Sequence, residues 1–179
     1  MFEPVPPFLA SEFQIKYVTE RWERDAAAAL RRQVFCDEQK IFVADDRDDI
    51  DDDCISIVAL SLWGIAADSV VGTVRIHEDS PGIWWGSRLA VARPYRRMGA
   101  LGSALIKLAV SSAHARGCAR FLAYVQSQNE PLFRSLHWDA LSETELHGRP
   151  HFKMEADLGY YPPFLTPETG FVALPRQIA

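Results

Sequence analysis

Apolar and polar positions alternate over residues 13–19 (FQIKYVT), a period of two that predicts a strand, with Thr19 placed to cap a following helix. In residues 20–35 (ERWERDAAAALRRQVF) the period changes. Trp22, Ala26, Leu30 and Val34 recur every four positions, so they share one helical face, which is expected in the core. The acidic stretch VADDRDDIDDD breaks the pattern and reads as a solvated loop before the apolar, β-prone run CISIVALSLWG. Two more strands are predicted in SVVGTVRIHED and GIWWGSRLAVA, separated by the turn Ser80-Pro81-Gly82, and the three make an antiparallel meander.

The helical period returns in GSALIKLAVSSAHARG, where Leu105, Leu108, Ala109 and Ser112 share a face and Gly117 is a favourable C-cap. ARFLAYVQ then reads as a strand. A strand, a helix and a strand in that order require a right-handed crossover, so residues 89–91 and 121–125 are expected to lie parallel in one sheet. NEPLFRSLHW supplies a short helix with Asn129 as cap and Pro131 in its first turn, and HFKMEADL a last strand. The fold class is therefore α/β, a mixed sheet flanked by helices. Residues 1–12 form a leader, 13–159 the domain, and 160–179 a proline-rich tail that wraps the domain or leads toward a partner.

Composition narrows the function. The chain has 179 residues, 48% hydrophobic and 24% charged, with no apolar run near the ~18 residues of a membrane span. The proline- and acid-bearing N-terminus lacks the pattern of a secretory signal. Three widely spaced cysteines suit a reducing, cytoplasmic setting and suggest neither a disulfide framework nor a zinc site. A net charge of -5 argues against nucleic-acid binding as the main task.

Candidate chemistry centres on YRRMGALGSALIKLA. A strand feeding a turn of small residues and then a helix presents free backbone N–H groups and the positive end of the helix dipole, an anion site. Arg96 and Arg97 add charge, and Gly99, Ala100, Gly102 and Ser103 allow a phosphate close to the backbone. Neither a Walker loop nor a dinucleotide fingerprint is present. The other reading of the turn alone is a tight strand-to-helix connection with surface arginines.

LAVARPYRRMGALGSALI resembles the acetyl-CoA signature of the GNAT acetyltransferase superfamily, over an element order running from residue 13 to 158. LRRQVFCDEQKIF is similar to the first helix of the subgroup with a VFxxEQ pattern, and NEPLFRSLHW to the family's late segment. The C-terminal third further resembles a bacterial nitrogen-starvation acetyltransferase subgroup. Two residues, Ala100 and Leu101, separate Gly99 from Gly102 where the family usually has one, so two registers of the loop are open.

The resemblance implies an enzyme that transfers the acetyl group of acetyl-CoA to a primary amine of a small molecule by direct attack. It implies that Leu89, Ala90 and Val91 hold the pantetheine arm, that backbone donors from Met98 through Ser103, Leu101 included, hold the pyrophosphate, and that Asn129 and Phe133 border the cofactor. The carboxylates often found on the central strand are absent. Glu38, and Glu78 with His77, are candidate bases, against the reading that each is an ordinary surface group. His137 is a candidate acid where Phe133 replaces the usual tyrosine, against a structural histidine. With no side chain serving, catalysis would rest on positioning.

Arg31, Phe35, the aspartates around Asp49 and Arg75 also resemble a cluster of acyl-homoserine-lactone synthases, which would make Phe35 and Arg75 substrate-binding; a salt-bridge network is the other reading. Two further readings are therefore a longer-chain acyltransferase and a non-catalytic acyl-CoA-binding module. The seven aspartates of residues 45–53 fail the calcium-loop pattern, and His147 and His151 are interrupted by Gly148 and Pro150, so no metal centre is expected. Edge strands and exposed tryptophans allow a homodimer, and the tail a partner domain.

Overall fold

The computed structural model describes residues 9–98 and 100–174. Eight strands form in chain order: β1 (Phe13–Tyr17), β2 (Ile55–Trp63), β3 (Ala66–Ser80), β4 (Ile83–Val91), β5 (Arg120–Gln126), β6 (Trp138–Leu146), β7 (Arg149–Ala156) and β8 (Phe171–Ala173). They make one sheet in the order β6-β7-β5-β4-β3-β2-β1-β8, parallel only between β4 and β5. The helices are α1 (Arg21–Arg32), α2 (Ala100–Ala115) and the short α3 (Glu130–Ser135). This is the mixed α/β sheet flanked by helices that the periodicity predicts.

The alternation along β2 divides the core. Val58 and Leu60 pack with Ala27 of α1 on one face, while Ile57 and Ala59 join Leu105 and Leu108 of α2 on the other. The crossover through α2 ends at Gly117, whose φ of +89° is the left-handed conformation that terminates a helix.

Four expectations change. The buried stripe of α1 is Glu23, Ala27, Leu30 and Arg31, continued by Val34, whereas Trp22 is exposed. The periodicity hides a charged residue in the core, because Glu23 accepts from Lys16 Nζ at 2.7 and 2.8 Å and from the Thr19 and Glu20 amides. Glu20, not Thr19, occupies the N-cap. The acidic stretch is not simply solvated: Asp46 is 2% exposed and residues Asp49–Asp52 form a 3-10 turn begun by Asp48. Finally, Leu89–Val91 do not pair with β5.

Residues 160–174 lie against the domain. Trp138 Nε1 donates to Tyr161 Oη at 3.1 Å, the Phe164 amide to Ser111 O at 3.0 Å and the Tyr17 amide to Pro167 O at 2.8 Å. β8 then pairs with β1, Phe13 opposite Ala173. Gly170 makes this return possible, with φ +64° and the Ile15 carbonyl oxygen 1.6 Å from where a Cβ would stand.

Candidate active site

The parallel ladder of β4 and β5 runs from Ile83–Arg120 to Gly86–Ala123 and stops. Its cause lies on the other side of β4. Thr73 opposes Ala90 but Arg75 opposes Ser87, so β4 carries one extra residue across that interval. Arg88 takes up the excess at φ +55°, a bulge that bends the strand away from its neighbour. Beyond it, the β5-facing edge of β4 is left open to a ligand.

A cleft of about 550 Å³ fills the divergence. It is lined by Arg75, His77 and Trp85 from the α1 face of the sheet and by Phe121, Ala123 and Val125 from the α2 face, so it passes through the sheet. A second, open hollow of about 320 Å³ lies beside Ser127, Glu143 and His151.

One wall is ionic. Arg31 donates from Nε to Asp46 at 2.7 Å and from both terminal nitrogens to Asp51 at 2.6 and 3.1 Å. Arg75 forks onto Asp48 at 2.6 and 2.8 Å, reaches Asp51 at 2.9 Å, and donates from Nε to Ser87 at 2.8 Å. Arg88 reaches Asp46 at 3.1 Å and lies 4.6 Å from the Phe42 ring centroid. Three arginines thus meet three aspartates, Arg31 on Asp51 and Arg75 on Asp48 in fork geometry.

The charges respond accordingly. Burial alone would raise the Asp51 carboxyl, but hydrogen bonds from Arg31 and the Asp48 amide, with the attraction of Arg31 and Arg75, hold it well below the usual range. The Arg75 hydrogen bond likewise depresses Asp48. Arg88 differs from its partners, since burial and the neighbouring Arg75 lower it despite Asp48 and Asp46.

The opposite wall is apolar. Ile106, Ala109 and Val110 of α2 face it together with Phe133 and Trp138, whose rings meet edge-to-face at 5.0 Å. A π-helical continuation of α1, Gln33–Glu38, turns Phe35 into the cleft from above. Trp85 stacks on Tyr124 at 5.2 Å near the mouth.

Of the predicted residues, Phe35, Arg75, Leu89, Asn129 and Phe133 line the cleft together. Ala90 instead packs on Leu30, Val34 and Phe35, and Val91 stays paired with Gly72 while accepting from Arg96 Nε at 2.9 Å. Arg96 also donates to Glu38 at 2.6 Å, so Glu38 ties the loop to the end of α1 and does not line the cleft. Arg97 is exposed. Ala100 opens α2, Leu101 is buried in the core, and Gly102 and Ser103 complete the first turn; a Cβ at Gly102 would meet nothing within 4 Å. Gly99 and the Met98 side chain lie outside the described residues.

Glu78 and His137 are placed elsewhere. Glu78 accepts from the Gly82 amide at 2.8 Å and faces away, because the period of two that points Arg75 inward also points in His77 and Asp79. His137, at φ +66°, stacks on Tyr160 at 3.5 Å. The sequence reading passed over Arg88, Asp48 and Asp51 as named site residues, although counting in twos from Arg75 would have singled out His77 over Glu78.

The model of the Acetyltransferase (GNAT) family matches residues 15–137, more than half of the chain. No curated protein matches significantly. Among solved structures, a candidate N-acetyltransferase from Lactobacillus plantarum is similar at 22% identity and TM-score 0.71, over 80% of this chain and 97% of that one. ElaA of Escherichia coli is similar at 21% identity and TM-score 0.66, over 81% and 98%. BjaI, a CoA-dependent acyl-homoserine lactone synthase, is similar at 18% identity and TM-score 0.64, over 80% and 82%. With its signature loop opening α2 and its central strands diverging around a cleft, the chain belongs to the GNAT acetyltransferase family and is an acyltransferase.

Proposed function

We propose that the protein transfers the acetyl group of acetyl-CoA to the primary amine of a small molecule. The observation that carries this reading is the divergence of β4 from β5 at Gly86–Ala123, which leaves a strand edge beside a cleft that α2 borders through Ile106, Ala109 and Val110. The first turn of α2, residues 100–103, lies at the positive end of a 16-residue helix, so its amides suit a pyrophosphate. Above them, the freed edge at Leu89 suits the pantetheine arm, and an amide there would polarise the thioester carbonyl, an effect typically worth ~3 kcal/mol of barrier.

The amine nitrogen attacks the carbonyl carbon, its C–N bond forming as the C–S bond breaks and the thiolate leaves. The ionic wall holds the acceptor side rigid, since each of its arginines has a carboxylate partner. The VFCDEQ sequence, residues 34–39, resembles the VFxxEQ pattern of one subgroup, and the nitrogen-starvation resemblance supports an acceptor from nitrogen metabolism in the cytoplasm.

Calorimetric titration with acetyl-CoA, with ATP and NAD as controls, tests the reading: micromolar binding of acetyl-CoA alone supports it, and no binding sinks it. A longer acyl donor is the second reading, favoured by the apolar wall of Ile106, Ala109 and Val110 and by the Arg31–Asp51 and Arg75–Asp48 pairs. Transfer from octanoyl-CoA exceeding that from acetyl-CoA would establish it.

A further inference from the structure

Of the four candidate proton-transfer groups, Glu38, Glu78 and His137 do not line the cleft. His77 does, on the strand face that carries Arg75 and beside Trp85, its directly opposed neighbour on β4. Trp85 stands three positions before the bulge at Arg88, roughly 10 Å along the strand. His77 therefore flanks the approach to the open edge at Leu89.

Its ring is unusually placed. Nδ1 is buried with no hydrogen-bond partner among the described residues, which leaves Nε2 as the nitrogen through which the ring exchanges protons. Other polar groups of this wall, Arg75, Ser87 and Asp48, are engaged with one another. A buried polar atom without a partner is rare enough in folded proteins to ask for a reason.

We propose that Nε2 of His77 takes the proton from the acceptor amine, directly or through one water. The inference rests on the acyl-transfer reading above. As the amine nitrogen bonds to the carbonyl carbon and the C–S bond breaks, the nitrogen's proton passes to Nε2 and from there to solvent or to the departing thiolate. No other reactant is consumed.

The surroundings keep the ring ready to accept. Arg75 and Asp79 face it from its own strand, Arg88 from β4 and Asp48 from the acidic turn, with Tyr124, His147 and His151 across the cleft. Burial lowers its affinity for a proton and the Arg75 charge lowers it further, against the weaker opposite pull of Asp79 and Asp48, so the ring titrates below its ordinary 6.5 and is neutral at pH 7. The acid limb of kcat/KM therefore lies below pH 6.5.

The test uses thiol release from acetyl-CoA with a panel of primary amines, the best acceptor then held fixed. His77→Gln is expected to lower kcat about 10²–10⁴-fold and remove the acid limb, with acetyl-CoA affinity unchanged by calorimetry. A His77→Gln rate within threefold of the parent, or an unaltered acid limb, overturns the assignment while leaving the acyl-transfer reading intact. Acetyl-CoA binding without release on any amine by the parent protein overturns that reading and this one with it. Should His77→Gln fold poorly, ring 15N shifts of His77 in the parent decide: an imidazolium at pH 7 overturns the proposal, and a neutral ring protonating below pH 6.5 supports it.

Discussion

The two walls of the cleft are built on opposite principles. The wall from the acidic turn, β3 and β4 is a closed set of charges, in which Arg31, Arg75 and Arg88 are matched to Asp46, Asp48 and Asp51 and little is left to bind anything new. The wall from α2 and β5 presents aliphatic and aromatic side chains, with the first turn of α2 further along the same helix. The first fixes geometry before a ligand arrives; the second gains its partners from the ligand. A buried ion-pair network is weak grounds for high stability, but breaking one side of it leaves an uncompensated charge, whereas altering an open apolar wall mainly changes what fits.

That contrast can be broken most severely at Arg75, which is 2% exposed. Arg75→Met removes the fork on Asp48 and one of the two arginine partners of Asp51 and should cost about 3–5 kcal/mol in urea unfolding; a loss under 1 kcal/mol would show that the network is dispensable. On the other wall, Gly102→Leu should weaken acetyl-CoA binding about 100-fold, or ~2.7 kcal/mol, by filling the space over the first turn. Its fold should be unchanged or up to ~1 kcal/mol more stable, since leucine is a better helix former than glycine. Unaltered affinity would remove the loop from the binding site.

Of the two walls, acid should act on the ionic one. Asp51 and Asp48 have carboxyls depressed in the fold, so their contribution is complete above the ordinary value of 3.8 and is lost as pH falls below it toward the folded values. The urea midpoint should drop as pH falls from about 4 toward the folded values, and Asp51→Asn should flatten that drop. The smallest effect is expected for Ala109→Leu, whose longer side chain enters the cleft and should shift stability by about 1 kcal/mol or less. It should nonetheless discriminate against octanoyl-CoA relative to acetyl-CoA in the transfer assay, and equal use of both donors would place the acyl group elsewhere.

Elements whose local pattern agrees with their burial were legible from the chain, β2, β3, β4 and α2 among them. β6 was not, because WDALSETEL is largely polar and exposed, and its strand character comes from pairing with β7. β8 is three residues long and is set by the partner it reaches, Phe13–Ile15. In the site, Phe35, Arg75, Leu89, Asn129 and Phe133 were readable because their motifs fix their position on an element. Glu78 was misjudged for want of a face: one residue along a strand exchanges the cleft for the opposite side. The aspartates show the converse limit, since Asp46 and Asp51 differ from exposed Asp49 only through the arginines that tertiary structure brings to them.

The strap that ends in β8 also bears on the order of assembly. β1 lies between β2 and β8, and one of its edges is completed by residues about 158 positions later, at the Ile15–Phe171 and Phe13–Ala173 pairs. During synthesis the central strands can pair and α2 can pack long before those residues emerge. Until then the outer edge of β1 is a bare ladder of amides and carbonyls, open to pairing with another nascent chain. The narrow turn at Gly170 is thus the point on which protection of the first strand depends, and a slower closure there would appear first as misassembly in the cell, before any loss of catalysis.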